Sequence, residues 1–188
     1  MTRGSDRERA GMAGTLTELF GYLDGLQGRA PLAELTARLT DLDIDCDDLA
    51  DFMHFSSRSY MRNLARAGLW YHALVLCWKN GQRSPIHDHV GSSCGMRVVR
   101  GTLTETIFDM APNGHVYATF SRELSPGEVS GSEDHDIHQV SNLQAGDADL
   151  VTLHVYTPPL RRMGTYSLTD TDRGFEPMFV EFCDAEGI

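Results

Sequence analysis

His87 and His89 stand one residue apart in SPIHDHVGSSC, and Cys94 follows five residues after the second. On a strand, or on the turn that feeds one, an H-x-H pair presents both imidazoles to the same side, because side chains alternate along the backbone. Two imidazoles side by side are unfavourable as cations. As neutral bases they are a ready pair of metal ligands, and a third ligand must come from elsewhere in the chain. His138, in the strand-like run IHQVSNL, is the best placed of the remaining histidines. His72, His115 and His135 read as core or surface residues, and His54 as structural.

A second polar set lies in TLHVY. Thr152, His154 and Tyr156 are spaced i, i+2, i+4 and share one strand face, between the apolar Leu153 and Val155. Buried polar groups must find partners, so a Thr–His–Tyr chain along one face points to a polar site inside the fold.

These residues need a scaffold, and the periodicity of the chain supplies one. In TLTELFGYLDGL, Leu16, Leu19, Phe20 and Leu23 recur with helical spacing behind Thr15, a residue able to cap. Leu32, Leu35, Leu39 and Leu42 repeat the pattern behind Pro31. From Trp70 onward the runs WYHALVLCW, MRVVRGTLTETIF, HVYATFSREL, IHQVSNL and DLVTLHVYTPP are strand-like. Asn113-Gly114 and Pro126-Gly127-Glu128 mark turns between them. The expected architecture is mainly β, a small barrel with N-terminal helices packed outside. Residues 1–14 are expected as a frayed leader and 15–188 as one domain, helical over 15–66 and barrel over about 67–185. The acidic string DLDIDCDD imitates the start of a calcium loop. It has Cys46 where such a loop needs glycine and Phe52 where it needs a glutamate, so a solvated loop is expected.

The wider spacing reads G-x5-H-x-H-x4-C-x6-G from Gly81 to Gly101, and P-G-x10-H-x3-N from Pro126 to Asn142. This pair of motifs resembles those of the cupin superfamily, double-sheet jelly-roll barrels that hold a metal inside. Most cupins carry a glutamate ligand where this chain has Cys94. Three neutral ligands would leave the charge of a divalent metal uncompensated and leave positions open for an anionic ligand.

A narrower resemblance rests on SPIHDHVGSSC, RGTLTETIFD, IHQVSN and TLHVYTPPL, with YMRNL upstream at 60–64. These segments are similar, in order and near spacing, to those of the cysteine dioxygenases. The resemblance implies Fe(2+) on His87, His89 and His138, and a substrate carboxylate on Arg62 with the Tyr60 hydroxyl nearby. It implies a thioether cross-link between Cys94 and Tyr156, and a relay in which His154 bonds the Tyr156 hydroxyl and Thr152 completes the chain. That family more often has serine where Thr152 stands. The reaction implied is the addition of both atoms of dioxygen to the sulfur of L-cysteine, giving cysteine sulfinic acid.

Two rivals follow. One is a dioxygenase for another small thiol, 3-mercaptopropionate or mercaptosuccinate; a dicarboxylate would want a second cation, which Arg97, Arg161 or Arg162 could supply. The other is a non-catalytic metal-binding cupin acting as a sensor. A net charge of −11 disfavours nucleic acid, and no apolar run approaches the ~20 residues of a membrane span. Cys46, Cys77, Cys94 and Cys183 lie far apart without a CxxC pair, as expected of reduced thiols in a cytoplasmic protein. The chain is expected to act as a monomer on a small thiol and dioxygen.

Overall fold

Thr15 does cap the first helix. In the computed structural model, which describes residues 14–178 and 181–182, helix α1 (Leu16–Asp24) opens on a reciprocal box. The Thr15 Oγ1 accepts from the Glu18 amide at 3.2 Å, and the Thr15 amide donates to Glu18 Oε2 at 2.8 Å. Helix α2 (Leu32–Thr40) starts behind Pro31. The expected leader lies outside the described residues except for Gly14, as do Cys183 and the last residues of the expected barrel segment.

The helical region ends sooner than the sequence suggests. After a single 3-10 turn at Ala50–Phe52, strand β1 runs over Met61–Gly68, so the expectation of helix up to residue 66 is corrected. Its sequence, MRNLARAG, is rich in good helix formers, and pairing with β2 (Tyr71–Trp78) overrides that preference. The remaining strands are β3 (Ile86–Arg100), β4 (Leu103–Met110), β5 (Val116–Leu124), β6 (Val129–Ser141), β7 (Leu150–Thr157), β8 (Arg162–Tyr166), β9 (Gly174–Pro177) and β10 (Glu181–Phe182). They connect in the order β10-β1-β2-β7-β3-β6-β4-β5, with β8 and β9 branching from β3. All these pairs are antiparallel except β1 with β10. The Asn113-Gly114 turn joins β4 to β5, closed by the Ala111 amide donating to His115 O at 2.8 Å.

Alternation divides β2 and β7 between two cores. Ala73, Val75, Cys77, Val151, Leu153 and Val155 pack on Leu19, Leu23, Leu35 and Leu39 of the helices. Leu74, Leu76, Trp78, Leu150 and Tyr156 face the barrel interior with Cys94, Met96 and Val98 of β3. Both faces of these strands are therefore buried, one by the barrel interior and the other by the helices. Helix α2 approaches closely because Gly95 and Gly131, partners across β3 and β6, lie beneath it. A Cβ on Gly95 would stand 2.5 Å from Leu39 Cδ1, and one on Gly131 2.7 Å from Thr36 Cγ2. Arg97 then secures the helix end, donating from Nη1 to the carbonyls of Leu39 and Gly127 at 2.9 and 3.0 Å. No described helix is long and apolar enough to cross a membrane.

Candidate metal and substrate site

The three histidines meet because β3 pairs with β6. The register sets His87 directly opposite His138, and His89 lies two residues further along the same face. Ring centroids are 5.0, 4.7 and 4.9 Å apart for the three pairs, and one ligand atom from each lies within 4.8 Å of the others. All three side chains are buried. Burial, together with the neighbouring His138, holds His87 and His89 well below the usual imidazole range, so both are neutral bases.

Hydrogen bonds orient two of the rings. His87 Nδ1 donates to Pro85 O at 3.0 Å, and His138 Nδ1 donates to Glu105 Oε1 at 2.9 Å, which leaves each Nε2 as a free lone pair. His89 has neither ring nitrogen satisfied, although both are buried. An unpartnered buried imidazole is costly, and a metal ion between the three rings would give one of the two His89 nitrogens a partner. The donor set therefore fits a divalent metal.

Glu105 escaped the sequence reading although its position carried a signal. In the alternating run LTETIF it shares a face with the buried Leu103, an inward carboxylate that needs partners. Its partners are His138, Ser130 Oγ at 2.9 Å, and Arg122 through Nε at 2.9 Å and Nη2 at 2.6 Å. Burial pushes its carboxyl up, but His138 and Arg122 outweigh this and bring it to about 2. Asp88, between the two histidines, points to the opposite side of β3 by alternation. Fully buried, it accepts from the Gly164 amide at 3.0 Å, Tyr166 Oη at 2.6 Å and Arg173 Nη2, fastening β8 and the start of β9 to the back of the site.

Beside the histidines is a cleft whose lining includes Tyr60, Arg62, Trp78, His154, Tyr156 and Met163. Arg62 and Tyr60 come from the start of β1, where Arg62 Nε donates to Tyr60 Oη at 3.1 Å and Nη2 donates to the same oxygen. Tyr60 is itself stacked on Trp78, centroids 4.1 Å apart and planes 12° from parallel. Arg97, Arg161 and Arg162, named as sources of a second cation, do not line this cleft. Arg97 is committed to the end of α2, and Arg161 and Arg162 are exposed.

On β7, Thr152, His154 and Tyr156 share the inward face, as their spacing implies. Thr152 Oγ1 is 2.9 Å from His154 Nε2, and His154 Nδ1 is 3.4 Å from Tyr156 Oη. Burial, with the neighbouring His138 and Arg62 adding to the effect, holds His154 at about 3. Cys94 and Tyr156 are direct partners across β3 and β7, and both are buried. Burial pushes the pKa of both groups up, so both are protonated at neutral pH.

His54, His72, His115 and His135 do not line the cleft. Asp45 and Asp48 in DLDIDCDD accept from backbone amides within their own loop, Asp47 N to Asp45 Oδ1 at 2.7 Å and Asp45 N to Asp48 Oδ2 at 2.9 Å. The acidic string is a self-capped turn.

Comparison with known proteins agrees with this geometry. A family model described as cysteine dioxygenase type I matches residues 10–169. The chain is 31% identical over 152 residues to cysteine dioxygenase type 1 of Homo sapiens, covering 77% of this chain and 75% of that one. Identity to the Rattus norvegicus protein of the same name is 30% over 151 residues, with the same coverage. Among solved structures, the protein TT1209 from Thermus thermophilus aligns with a TM-score of 0.51 at 16% identity, over 62% of this chain and 99% of that one. An uncharacterized conserved protein with a double-stranded beta-helix domain from Klebsiella pneumoniae aligns at 0.50 and 14%, over 69% and 87%. At such identities these structures show the shared cupin-type fold alone.

Proposed function

This chain belongs to the cysteine dioxygenase type I family, and from that premise we propose that it is an iron-dependent thiol dioxygenase acting on L-cysteine. The observation that carries the reading is a buried trio of histidines beside a cleft that holds a paired guanidinium and phenol. The reaction joins both atoms of dioxygen to the substrate sulfur, so that thiol and dioxygen give a sulfinic acid with nothing left over. His87, His89 and His138 hold the iron, which when bound supplies a Lewis-acidic, redox-active centre for thiol and dioxygen chemistry.

The rest is the work of the chain's own side chains. Arg62 binds the substrate carboxylate. Two of its N–H groups are occupied by Tyr60 Oη, which leaves the others, and the Tyr60 hydroxyl hydrogen, for the carboxylate oxygens. Leu76, Val140, Met163 and Met178 line the cleft with apolar surface, keep water out and strengthen that charge pairing. Tyr156 places a hydroxyl at the reacting end, and its cross-strand pairing with Cys94 suits a thioether between them, formed with loss of two hydrogens to dioxygen as oxidant.

The cleft bears on the choice of thiol. Among the described residues a single arginine lines it, so a dicarboxylate such as mercaptosuccinate lacks a second cation. No carboxylate among the described residues lines it either, so no protein anion faces the substrate amine, and this favours 3-mercaptopropionate as the second reading. The test is kcat/KM for L-cysteine, 3-mercaptopropionate, cysteamine and mercaptosuccinate on the iron-loaded protein. L-cysteine leading, with cysteamine and mercaptosuccinate both poor, is the expected ranking. Cysteamine matching L-cysteine would remove the carboxylate clamp, and 3-mercaptopropionate leading would replace the substrate.

A further inference from the structure

His87 and His138 are each aimed by a hydrogen bond at Nδ1, but neither ring nitrogen of His89 has a partner. The direction of the His89 ring therefore depends on the backbone that carries it, and there β3 is irregular. The ladder with β6 pairs His89 with Asp134 and resumes at Ser93 opposite Glu133. Val90, Gly91 and Ser92 stand out between them as a bulge, with Gly91 at a φ of 84°. We propose that Arg29, in the connection between α1 and α2, is a positioning residue for His89: it buckles this bulge to β6 and so holds the ring in place to ligate a metal.

Arg29 spans three strands at this level. Its neighbour Ala30 is buried and anchors the connection to β7, the Ala30 amide donating to Thr157 Oγ1 at 3.0 Å. Thr157 is in turn the cross-strand partner of Ser93 on β3. From this root the guanidinium crosses β3, with Nε donating to Ser93 Oγ at 2.8 Å and Nη2 to Ser92 O at 3.3 Å. On β6 it grips both oxygens of Asp134, at 2.8 Å from Nη1 and 3.1 Å from Nη2, and Nη2 also donates to Glu133 Oε2 at 3.0 Å. Asp134 accepts as well from the Gly91 amide, in the middle of the bulge, at 3.2 Å.

Other ties do not replace this bridge. Ser92 Oγ donates to Pro158 O at 2.9 Å, which fixes the end of the bulge to the segment after β7 and not to β6. Ser93 Oγ donates to Glu133 Oε2 at 3.2 Å, where the ladder has already resumed. The side-chain bond from the bulge to β6, Gly91 amide to Asp134 Oδ1, runs through a carboxylate whose direction Arg29 sets. Without the guanidinium, Glu133 and Asp134 would stand as adjacent, half-exposed carboxylates in a chain of net charge −11, and their repulsion would turn them toward water. The bulge would then loosen, and the His89 ring, with no bond of its own, would lose its fixed direction. The role of Arg29 rests on the metal reading of the three histidines and on no step of the thiol chemistry.

The experiment compares the wild type with Arg29→Met, which keeps the apolar stem and removes the bridge, and with Arg66→Met, which breaks the partly exposed pair of Arg66 with Asp24 away from the cleft. Affinity for iron(II), measured anaerobically against a competing chelator, is expected to fall about tenfold in Arg29→Met, the low end for groups that orient a metal ligand, and to stay at the wild-type value in Arg66→Met. Cobalt(II), whose visible spectrum reports ligand number and geometry, is expected to give an altered spectrum in Arg29→Met alone. Arg29→Lys restores the charge without the fork and is expected to bind metal like Arg29→Met. In the metal-free protein, nitrogen-15 NMR of labelled histidine is expected to show the His89 ring signals shifted or broadened in Arg29→Met, with those of His87 and His138 unmoved. Wild-type affinity and an unchanged His89 signal in Arg29→Met would overturn the proposal, as would an equal loss in Arg66→Met or full recovery in Arg29→Lys. If Arg29→Met does not fold, Asp134→Asn cuts the same link from β6, at a residue whose φ of 49° asparagine tolerates, and must weaken metal binding in its place. A wild type that binds neither metal would remove the metal reading, and the metal-free spectra would still decide whether Arg29 positions His89.

Discussion

Replacing Glu105 by glutamine tests how the site holds its third histidine. The carboxylate now accepts from His138 Nδ1 on one oxygen and from Arg122 on the other, with Ser130 Oγ within reach of both. An amide offers one oxygen and one NH2. If the oxygen stays with His138, the NH2 faces the Arg122 guanidinium, donor against donor. If it turns to Arg122, the NH2 faces His138, Nδ1 must become the acceptor, and the hydrogen moves to Nε2, which then cannot ligate a metal.

Breaking a buried ion pair costs about 3–5 kcal/mol, but the Arg122 side chain is 40% exposed and remains hydrated. A loss of roughly 2–3 kcal/mol is therefore expected. For a chain of this size that corresponds to a Tm roughly 4–12 °C lower in calorimetry of the metal-free protein. Iron(II) affinity, measured anaerobically against a competing chelator, should fall about 10–100-fold, the effect typical of losing the carboxylate behind a ligating histidine. Ser130→Ala is the control. It removes a hydrogen bond from Glu105 without touching the one to His138, so it should cost about 1 kcal/mol of stability and no iron affinity. Glu105→Gln binding iron as tightly as wild type would refute the idea that this carboxylate sets the His138 tautomer.

Arg62→Gln should lower kcat/KM for L-cysteine by about 30–150-fold, the loss of roughly 2–3 kcal/mol of charge-assisted hydrogen bonding, and leave cysteamine turnover unchanged; equal losses for both thiols would show that Arg62 does not read a carboxylate. Asp88→Asn removes the buried anion that binds Gly164, Tyr166 and Arg173. It should cost about 1–3 kcal/mol and speed amide exchange in β8 and β9 ahead of the barrel, and uniform exchange would contradict that. Tyr71 donates to Asp24 Oδ1 at 2.5 Å, and burial together with that bond raises its hydroxyl from 10.0 to about 12. The folded state keeps this proton longer than the unfolded chain, so its contribution is complete below pH 10 and is lost as pH rises through about 12. Tyr71→Phe should show a shallower alkaline fall in Tm than wild type; an identical slope would assign the fall to other groups.

The legible parts of the site were those in which one strand carries the information. H-x-H places His87 and His89 on a common face whatever the rest of the chain does, and i, i+2, i+4 spacing does the same for Thr152, His154 and Tyr156. The helices were legible from their leucine spacing, although their extent was not. Arg62 lies on a strand written in helix-forming residues, with Tyr60 just before it, and only the family resemblance marked them. Asp88 was hidden for another reason. Its partners lie up to 85 residues further along the chain, and no local pattern predicts which buried carboxylate will meet which arginine. Glu105 falls between these cases, since alternation marked it as inward but only the fold shows that it faces His138.

The most direct test of the account is to load the purified protein with iron(II), supply L-cysteine under isotopically labelled dioxygen, and weigh the product. Iron-dependent oxygen uptake matched by cysteine sulfinic acid carrying two labelled oxygens is the expected result. Bound iron with no uptake on any thiol would contradict it and favour a metal-binding sensor. Uptake that yields only disulfide and reduced oxygen would contradict the dioxygenase reaction itself.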